Sequence, residues 1–221
     1  MRLSHDIKIL TLGALIALAA ALRMLPAHAG QSETLTVAGG CFWCVEADFE
    51  SVPGVTRAVS GYTGGDVDNP TYKQVTRGGT GHYEAVQITF DPARVTRRQL
   101  LDKFLRSVDP TDAGCQFCDR GNSYRTAIFV SDKAERAIAQ QAVADARAAL
   151  GQPIVTPILP QSRFWPAEEY HQDYYKKDEL IFFSRFGPTA KRKAYKMYRE
   201  ACGRDARVRE LWGDAAPFAG S

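Results

Sequence analysis

Hydrophobic alternation is clearest in residues 83–90 (YEAVQITF), where Val86, Ile88 and Phe90 share one face, the period of a half-buried strand. Residues 124–130 (YRTAIFV) repeat it, with Tyr124, Thr126, Ile128 and Val130 in phase. Further strands are predicted around Leu35 and Val37, which run into a glycine turn, at 55–65 (VTRAVSGYTGG), and at 153–160 between prolines. Helical spacing appears at 41–52, with Val45, Phe49 and Val52 at i, i+4, i+7, ended by Pro53-Gly54. Thr96 and Gln99 form a capping box before the stripe Leu100, Leu101, Phe104, Leu105, Val108. An Ala-rich helix spans 131–150 and stops at Gly151. Trp165-Pro166 is read as opening a helix through AEEYHQDYYKK, and a basic helix comes after it. Residues 68–82 read as a polar loop or short glycine-ended helix, and 110–123 as loop. Strands and helices alternate, yet the strands are apolar on one side only. The expected class is therefore α+β, an open mixed sheet covered by helices in a two-layer sandwich, not a doubly wound parallel sheet.

The N-terminus breaks this pattern. Arg2 and Lys8 precede an uncharged apolar run, Ile9–Leu22, and Ala27-His28-Ala29 is a small-x-small cleavage site. Residues 1–29 are read as a secretory signal peptide, with an uncleaved membrane anchor as the alternative; the run is short for a span. Residues 30–221 are then one domain with a helical C-terminal extension, exported and periplasmic. The chain has 28 Lys plus Arg against 25 Asp plus Glu. That balance, and the single basic cluster at 191–196, give no field for nucleic acid and predict no stable membrane association after cleavage. Hydrophobic residues at 45% and charged residues at 24% exclude a disordered or fibrous chain.

All five cysteines, Cys41, Cys44, Cys115, Cys118 and Cys202, lie beyond the leader. A domain of this size does not need disulfides for stability, so chemistry is the better reason for them. In Gly39-Gly40-Cys41-Phe42-Trp43-Cys44 a strand runs through two glycines and a cysteine opens a helix. The helix N-terminus offers unpaired N–H groups and the positive dipole end, which predicts a lowered thiol pKa and a nucleophile. Phe42 and Trp43 supply an aromatic wall. A cysteine hydrolase would need a base, and His82 and His171 are the histidines beyond the leader. Glu84 shares the parity of Val86, Ile88 and Phe90, so its carboxyl starts on the apolar face, where burial would keep it protonated as a general acid. Tyr72 and Tyr124 complete a pocket for an apolar group carrying a polar oxygen.

These stretches, GGCFWCVE, SGYTGG with PTY, GGTGHYEAVQITFDP, DRGNSYRTAIF and FWPAEEYHQDY, resemble the A-type peptide methionine sulfoxide reductases from about Thr34 to about Phe186. The resemblance implies a ferredoxin-like core and repair of the S-epimer of methionine sulfoxide, free or in oxidised proteins. It implies that Cys41 attacks the sulfoxide sulfur, Glu84 protonates the oxygen, Tyr72 and Tyr124 bond it, Phe42 and Trp43 hold the S-methyl, and Asp119 joins the polar network. Cys41 is left as a sulfenic acid. A second cysteine then forms a disulfide with it, which a thioredoxin-like dithiol reduces, with no bound cofactor and no metal. Cys202 is the first resolving candidate by resemblance, although its surroundings are helical and not glycine-rich; Cys44 is second by spacing, and Cys118 a third beside Asp119. Two other readings remain: a thioredoxin-like thiol–disulfide oxidoreductase using Cys41 and Cys44, and a zinc-binding module using Cys41, Cys44, Cys115 and Cys118.

Overall fold

The computed structural model describes residues 32–220; the leader read at 1–29 lies outside the described residues. Strand β1 (Glu33–Gly39) leads into helix α1 (Phe42–Glu50), β2 (Val55–Thr63), the short helix α2 (Tyr72–Arg77) and β3 (Tyr83–Phe90). Next come helix α3 (Arg97–Ser107), a two-strand ladder of β4 (Cys115–Gln116) with β5 (Asp119–Arg120), β6 (Thr126–Val130), helix α4 (Lys133–Leu150), β7 (Ile158–Pro160) and β8 (Trp165–Pro166). A small hairpin of β9 (Leu180–Ile181) and β10 (Thr189–Ala190) precedes helices α5 (Lys191–Ala201) and α6 (Arg204–Trp212). The main sheet has the order β7-β6-β1-β3-β2-β8. β1 lies antiparallel to both β3 and β6, and β2 to β3, while β6 and β7 are parallel, so the sheet is mixed. The unit β1-α1-β2-β3-α3-β6, with sheet neighbours β6-β1-β3-β2, is the ferredoxin-like arrangement.

The apolar parities explain the layers. Val86, Ile88 and Phe90 join Leu35, Val37, Val45, Phe49, Leu100 and Phe104 in one core between the sheet and its helices. The other face buries a smaller cluster of Ala38, Tyr83, Ala85, Ala127 and Phe129. Thr96 caps α3 with Gln99 as the spacing predicts, and Thr71 with Gln74 caps α2 in the same way. The Asp132 side chain caps α4, and Gly151 closes it in the left-handed conformation.

Two expectations are corrected. Trp165-Pro166 does not open a helix: it pairs with Tyr62 and Gly61 as β8, and only a single 3-10 turn, Glu169–His171, comes after it. The backbone of this stretch is engaged by the β2 edge, where Ala167 N donates to Ser60 O, and its side chains bond there too. Gln172 accepts from Ser60 N at 3.0 Å and donates to Ser60 O at 2.9 Å, extending the β2 edge. Glu168 accepts from Tyr72 N at 2.9 Å and from the Tyr62 hydroxyl at 2.9 Å. Tyr124 also lies outside β6, in the 3-10 turn Asn122–Tyr124.

The C-terminal helices are fastened to α1 by a buried ion pair. Arg199 Nη1 donates to Asp48 Oδ1 at 2.7 Å and to the Tyr195 hydroxyl at 3.1 Å, and its Nη2 donates to Phe218 O. Burial pushes the Asp48 carboxyl up, and Arg199 and Arg204 oppose that shift. Removing one partner strands the other charge in the core. Asp48→Ala is expected to lower the unfolding free energy by roughly 3–5 kcal/mol, read from urea denaturation; a loss below about 1 kcal/mol would refute this account.

Candidate active site

The turn before Cys41 has no room for side chains. Gly40 has φ +79°, and a Cβ there would lie 2.6 Å from Gln116 Cβ. A Cβ on Gly39 would meet Val108 and Val45 at 2.9 Å. Gln116 is itself fixed, accepting from Asp109 N at 2.8 Å and donating to Asp109 O and Cys115 O. Arg204 Nη1 donates to Gly39 O at 3.1 Å from α6. Cys41 thereby stands at the N-cap of α1, almost fully buried, and its side chain makes no capping bond.

Glu84 lies across from this helix end. Its Oε2 accepts from Phe42 N at 3.1 Å, satisfying one of the orphan donors of the first turn. Its Oε1 is buried and takes no hydrogen bond. Burial raises its pKa to about 8 against the opposing Phe42 N–H, and the Asp119 carboxyl adds to the rise. The carboxyl is therefore largely protonated at neutral pH. The phenols of Tyr72 and Tyr124 hydrogen-bond each other, and both are held protonated by burial and by Glu84. Glu168 sets Tyr72 by accepting from its backbone N–H.

A small cavity of about 60 Å³ joins these groups. Cys41, Glu84, Tyr72, Tyr124 and Asp119, with Phe42 and Trp43, all line it. The structure brings together seven positions that the sequence scatters from 41 to 124. It adds Tyr198, which the sequence reading missed. The Tyr198 hydroxyl donates to Asp119 Oδ2 from α5, and its ring meets Trp43 edge-on at 6.3 Å. Its only signal in the sequence is its place in the tyrosine-rich, basic C-terminal helix. Arg204 was missed likewise.

The cysteines divide into two pairs and one isolated thiol. Cys41 and Cys44 are free, buried and hydrogen-bonded to each other. The predicted lowering of the Cys41 pKa is not what this environment gives. Burial pushes the thiol up, and Cys44, Glu84 and Asp119 add to the rise. The Cys44 thiol is pulled down, because it accepts the Cys41 hydrogen bond and faces Arg204 and Arg199. Cys118 and Cys202 form a disulfide with Cα atoms 4.8 Å apart. The resolving candidate Cys202 is thus joined to the candidate Cys118, and Cys44 is the one lying against Cys41. Cys118 is exposed, and its side chain lies at the rim beside Asp119. Cys115 is buried, and its thiol donates to Asp112 Oδ2. The four-cysteine zinc arrangement does not form. The acidic group Glu46, Glu50 and Asp173 is close-set among the described residues, but the Ser60 hydroxyl and Asp173 N bond Glu46, while Tyr175 and Lys176 bond Glu50.

His82, considered as a base, does not line the cavity. Its Nδ1 accepts from Gly65 N at 3.2 Å, so Nε2 carries the proton and donates to Val67 O at 2.7 Å. It holds the glycine loop. His171 is buried between aromatic rings, with Tyr72 at 4.3 Å and Phe42 at 5.2 Å. Burial lowers its pKa to about 4, which keeps it neutral.

A ferredoxin-like sandwich that encloses two adjacent thiols, a protonated carboxyl and paired phenols is the framework of a thiol-based reductase. Similarity to known proteins narrows this. The chain belongs to the peptide methionine sulfoxide reductase family, whose profile matches residues 33–207. It is 47% identical over 205 residues to a peptide methionine sulfoxide reductase MsrA 2 of Caulobacter vibrioides, covering 90% of this chain and 97% of that one. It is 44% identical over 193 residues to an MsrA 2 of Rhizobium meliloti, covering 87% and 90%. Among solved structures, methionine sulfoxide reductase A of Corynebacterium diphtheriae matches with TM-score 0.61 and 32% identity, covering 73% of this chain and 81% of that one. Mxr1 from Saccharomyces cerevisiae in its reduced form matches with TM-score 0.64 and 29% identity, covering 72% and 92%.

Proposed function

We propose that the chain reduces the S-epimer of methionine sulfoxide, in oxidised proteins and as the free amino acid, and that a thioredoxin-like dithiol recycles it. The observation that carries this reading is the unpartnered, protonated Glu84 carboxyl beside the Cys41 thiol. A sulfoxide oxygen is a poor leaving group until it is protonated. Glu84 donates to it, with Tyr72 and Tyr124 as further donors. The Cys41 sulfur attacks the sulfoxide sulfur, and its proton replaces the one that Glu84 gives to the oxygen. Phe42 and Trp43 take the S-methyl. The oxygen passes from the substrate sulfur to Cys41 as the bond between the two sulfurs breaks, so methionine leaves, Cys41 becomes a sulfenic acid and no net proton is consumed. A simple dithiol exchanger using Cys41 and Cys44 would have no use for the carboxyl and the phenols.

The resting contact and the two nearby guanidinium groups favour Cys44 over Cys202 and Cys118 for the second step. Cys44 sulfur attacks the sulfenic sulfur, water leaves, and a Cys41–Cys44 disulfide forms. Two electrons and two protons from the external dithiol restore both thiols.

A protonated Glu84 is needed, so the first-turnover rate is expected to fall as pH rises through about 8. Glu84→Gln should slow that turnover by ~10²–10⁴-fold and remove the fall. An unchanged rate would show that the proton comes from elsewhere.

The recycling step separates by counting methionine. With thioredoxin as the sole reductant, Cys44→Ser should form about one methionine per enzyme and stall with a trappable sulfenic acid. Cys202→Ser should continue through many turnovers, and Cys41→Ser should form none. A stall in Cys202→Ser with cycling in Cys44→Ser would reverse the assignment.

We also read residues 1–29 as an export leader and the enzyme as periplasmic, from the charged start, apolar run and small-x-small site. The N-terminal residue of the exported form is expected to be Gly30; recovery of Met1 on a membrane-bound form would favour the anchor.

A further inference from the structure

The hairpin of β9 and β10 displays large apolar side chains to water. Leu180 and Phe182 are 68% exposed, and Phe183 is fully exposed. A groove of about 240 Å³ runs beside them, lined by Trp43, Tyr174, Ile181, Phe183, Phe186 and Tyr198. Tyr174 floors it, stacked on Trp43 with ring centroids 3.9 Å apart. Trp43 and Tyr198 also line the catalytic cavity, so groove and cavity lie side by side and share these two rings.

Size separates what each space accepts. A cavity of about 60 Å³ takes a methyl sulfoxide head, and the rest of the residue must lie outside it. The chain that extends from the sulfoxide residue over Trp43 meets the apolar groove. The groove has no cysteine among its lining residues. A dithiol reductant seated there would meet no sulfur in the groove itself. Arg185 at the groove edge, whose charge reaches Asp119, adds a single cation suited to backbone carbonyl oxygens.

We propose that this groove binds an extended polypeptide on either side of its oxidised methionine and selects chains with a large apolar side chain next to the sulfoxide. The proposal rests on the reading that the chain reduces methionine sulfoxide, and free methionine sulfoxide, which is too short to reach the hairpin, tests that reading separately.

The experiment measures kcat/KM for free methionine S-sulfoxide and for two unstructured heptapeptides with a central sulfoxide, one flanked by leucine and one by glycine. The wild-type enzyme should prefer the leucine peptide by about tenfold, within what burying one such side chain supports. The double variant Phe182→Ser, Phe183→Ser changes exposed side chains only. It should lose most of that preference and keep its rate on free sulfoxide and on the glycine peptide. Equal wild-type rates on the two peptides would overturn the proposal, as would an undiminished preference in the variant. Sedimentation showing a wild-type dimer that the variant dissolves would assign the groove to a second copy instead. Absence of turnover on free sulfoxide would strike the underlying activity, not the groove.

Discussion

The site depends on one steric constraint, the side-chain-free turn between β1 and α1. Gly39 and Gly40 let the backbone pass within van der Waals contact of Val108 and Gln116, and that passage aims the first turn of α1 into the sheet. Once it is aimed, Cys41 lies beside Glu84 in the cavity and the Phe42 N–H donates to its carboxyl. The same narrowness excludes water, which is why Glu84 keeps its proton and Cys41 its hydrogen. Arg204, reaching back from α6 to Gly39 O, makes the C-terminal extension part of this turn.

The buried setting divides labour between two thiols that sequence spacing alone would treat as equals. A helix N-terminus favours a thiolate, but at Cys41 desolvation and three acidic neighbours outweigh it. Cys44, one helical turn away, faces Arg199 and Arg204 instead. The hydrogen bond between the two sulfurs is thus biased to leave its proton on Cys41. Burial thus favours the protonated forms of the Glu84 carboxyl and the Cys41 thiol.

Local signals were legible. Parity placed Glu84 with Val86 and Ile88, the capping box opened α3, and the double glycine marked the turn before Cys41. These depend on residues within one helical turn or one strand. The features that were not legible depend on distant partners. The stretch after Trp165 carries helix-compatible residues, yet Gln172 and Glu168 are committed to β2 and to Tyr72. Tyr124 has strand parity but precedes the strand, because Gly121 starts a 3-10 turn. Tyr198, Arg199 and Arg204 sit in a region that composition marks only as basic, and the buried acids Asp48 and Asp119 give them their meaning.

The C-terminal extension is accordingly more than a cap. Its charges are buried because α1 presents Asp48, and its Tyr198 lines the cavity beside Asp119 of the β4–β5 ladder. The Cys118–Cys202 bond ties that ladder to the end of α5. Asp119 is the residue after the first of these cysteines and Tyr198 lies one turn before the second, so the pair is clamped from both sides. A covalent tie here has a physical purpose that does not require either sulfur to enter the reaction. It holds the wall of the cavity, while the β9–β10 hairpin edges the neighbouring groove. The enzyme thereby pairs a rigid interior, where proton positions decide reactivity, with an exposed aromatic edge, where contact with the substrate's neighbours decides what enters.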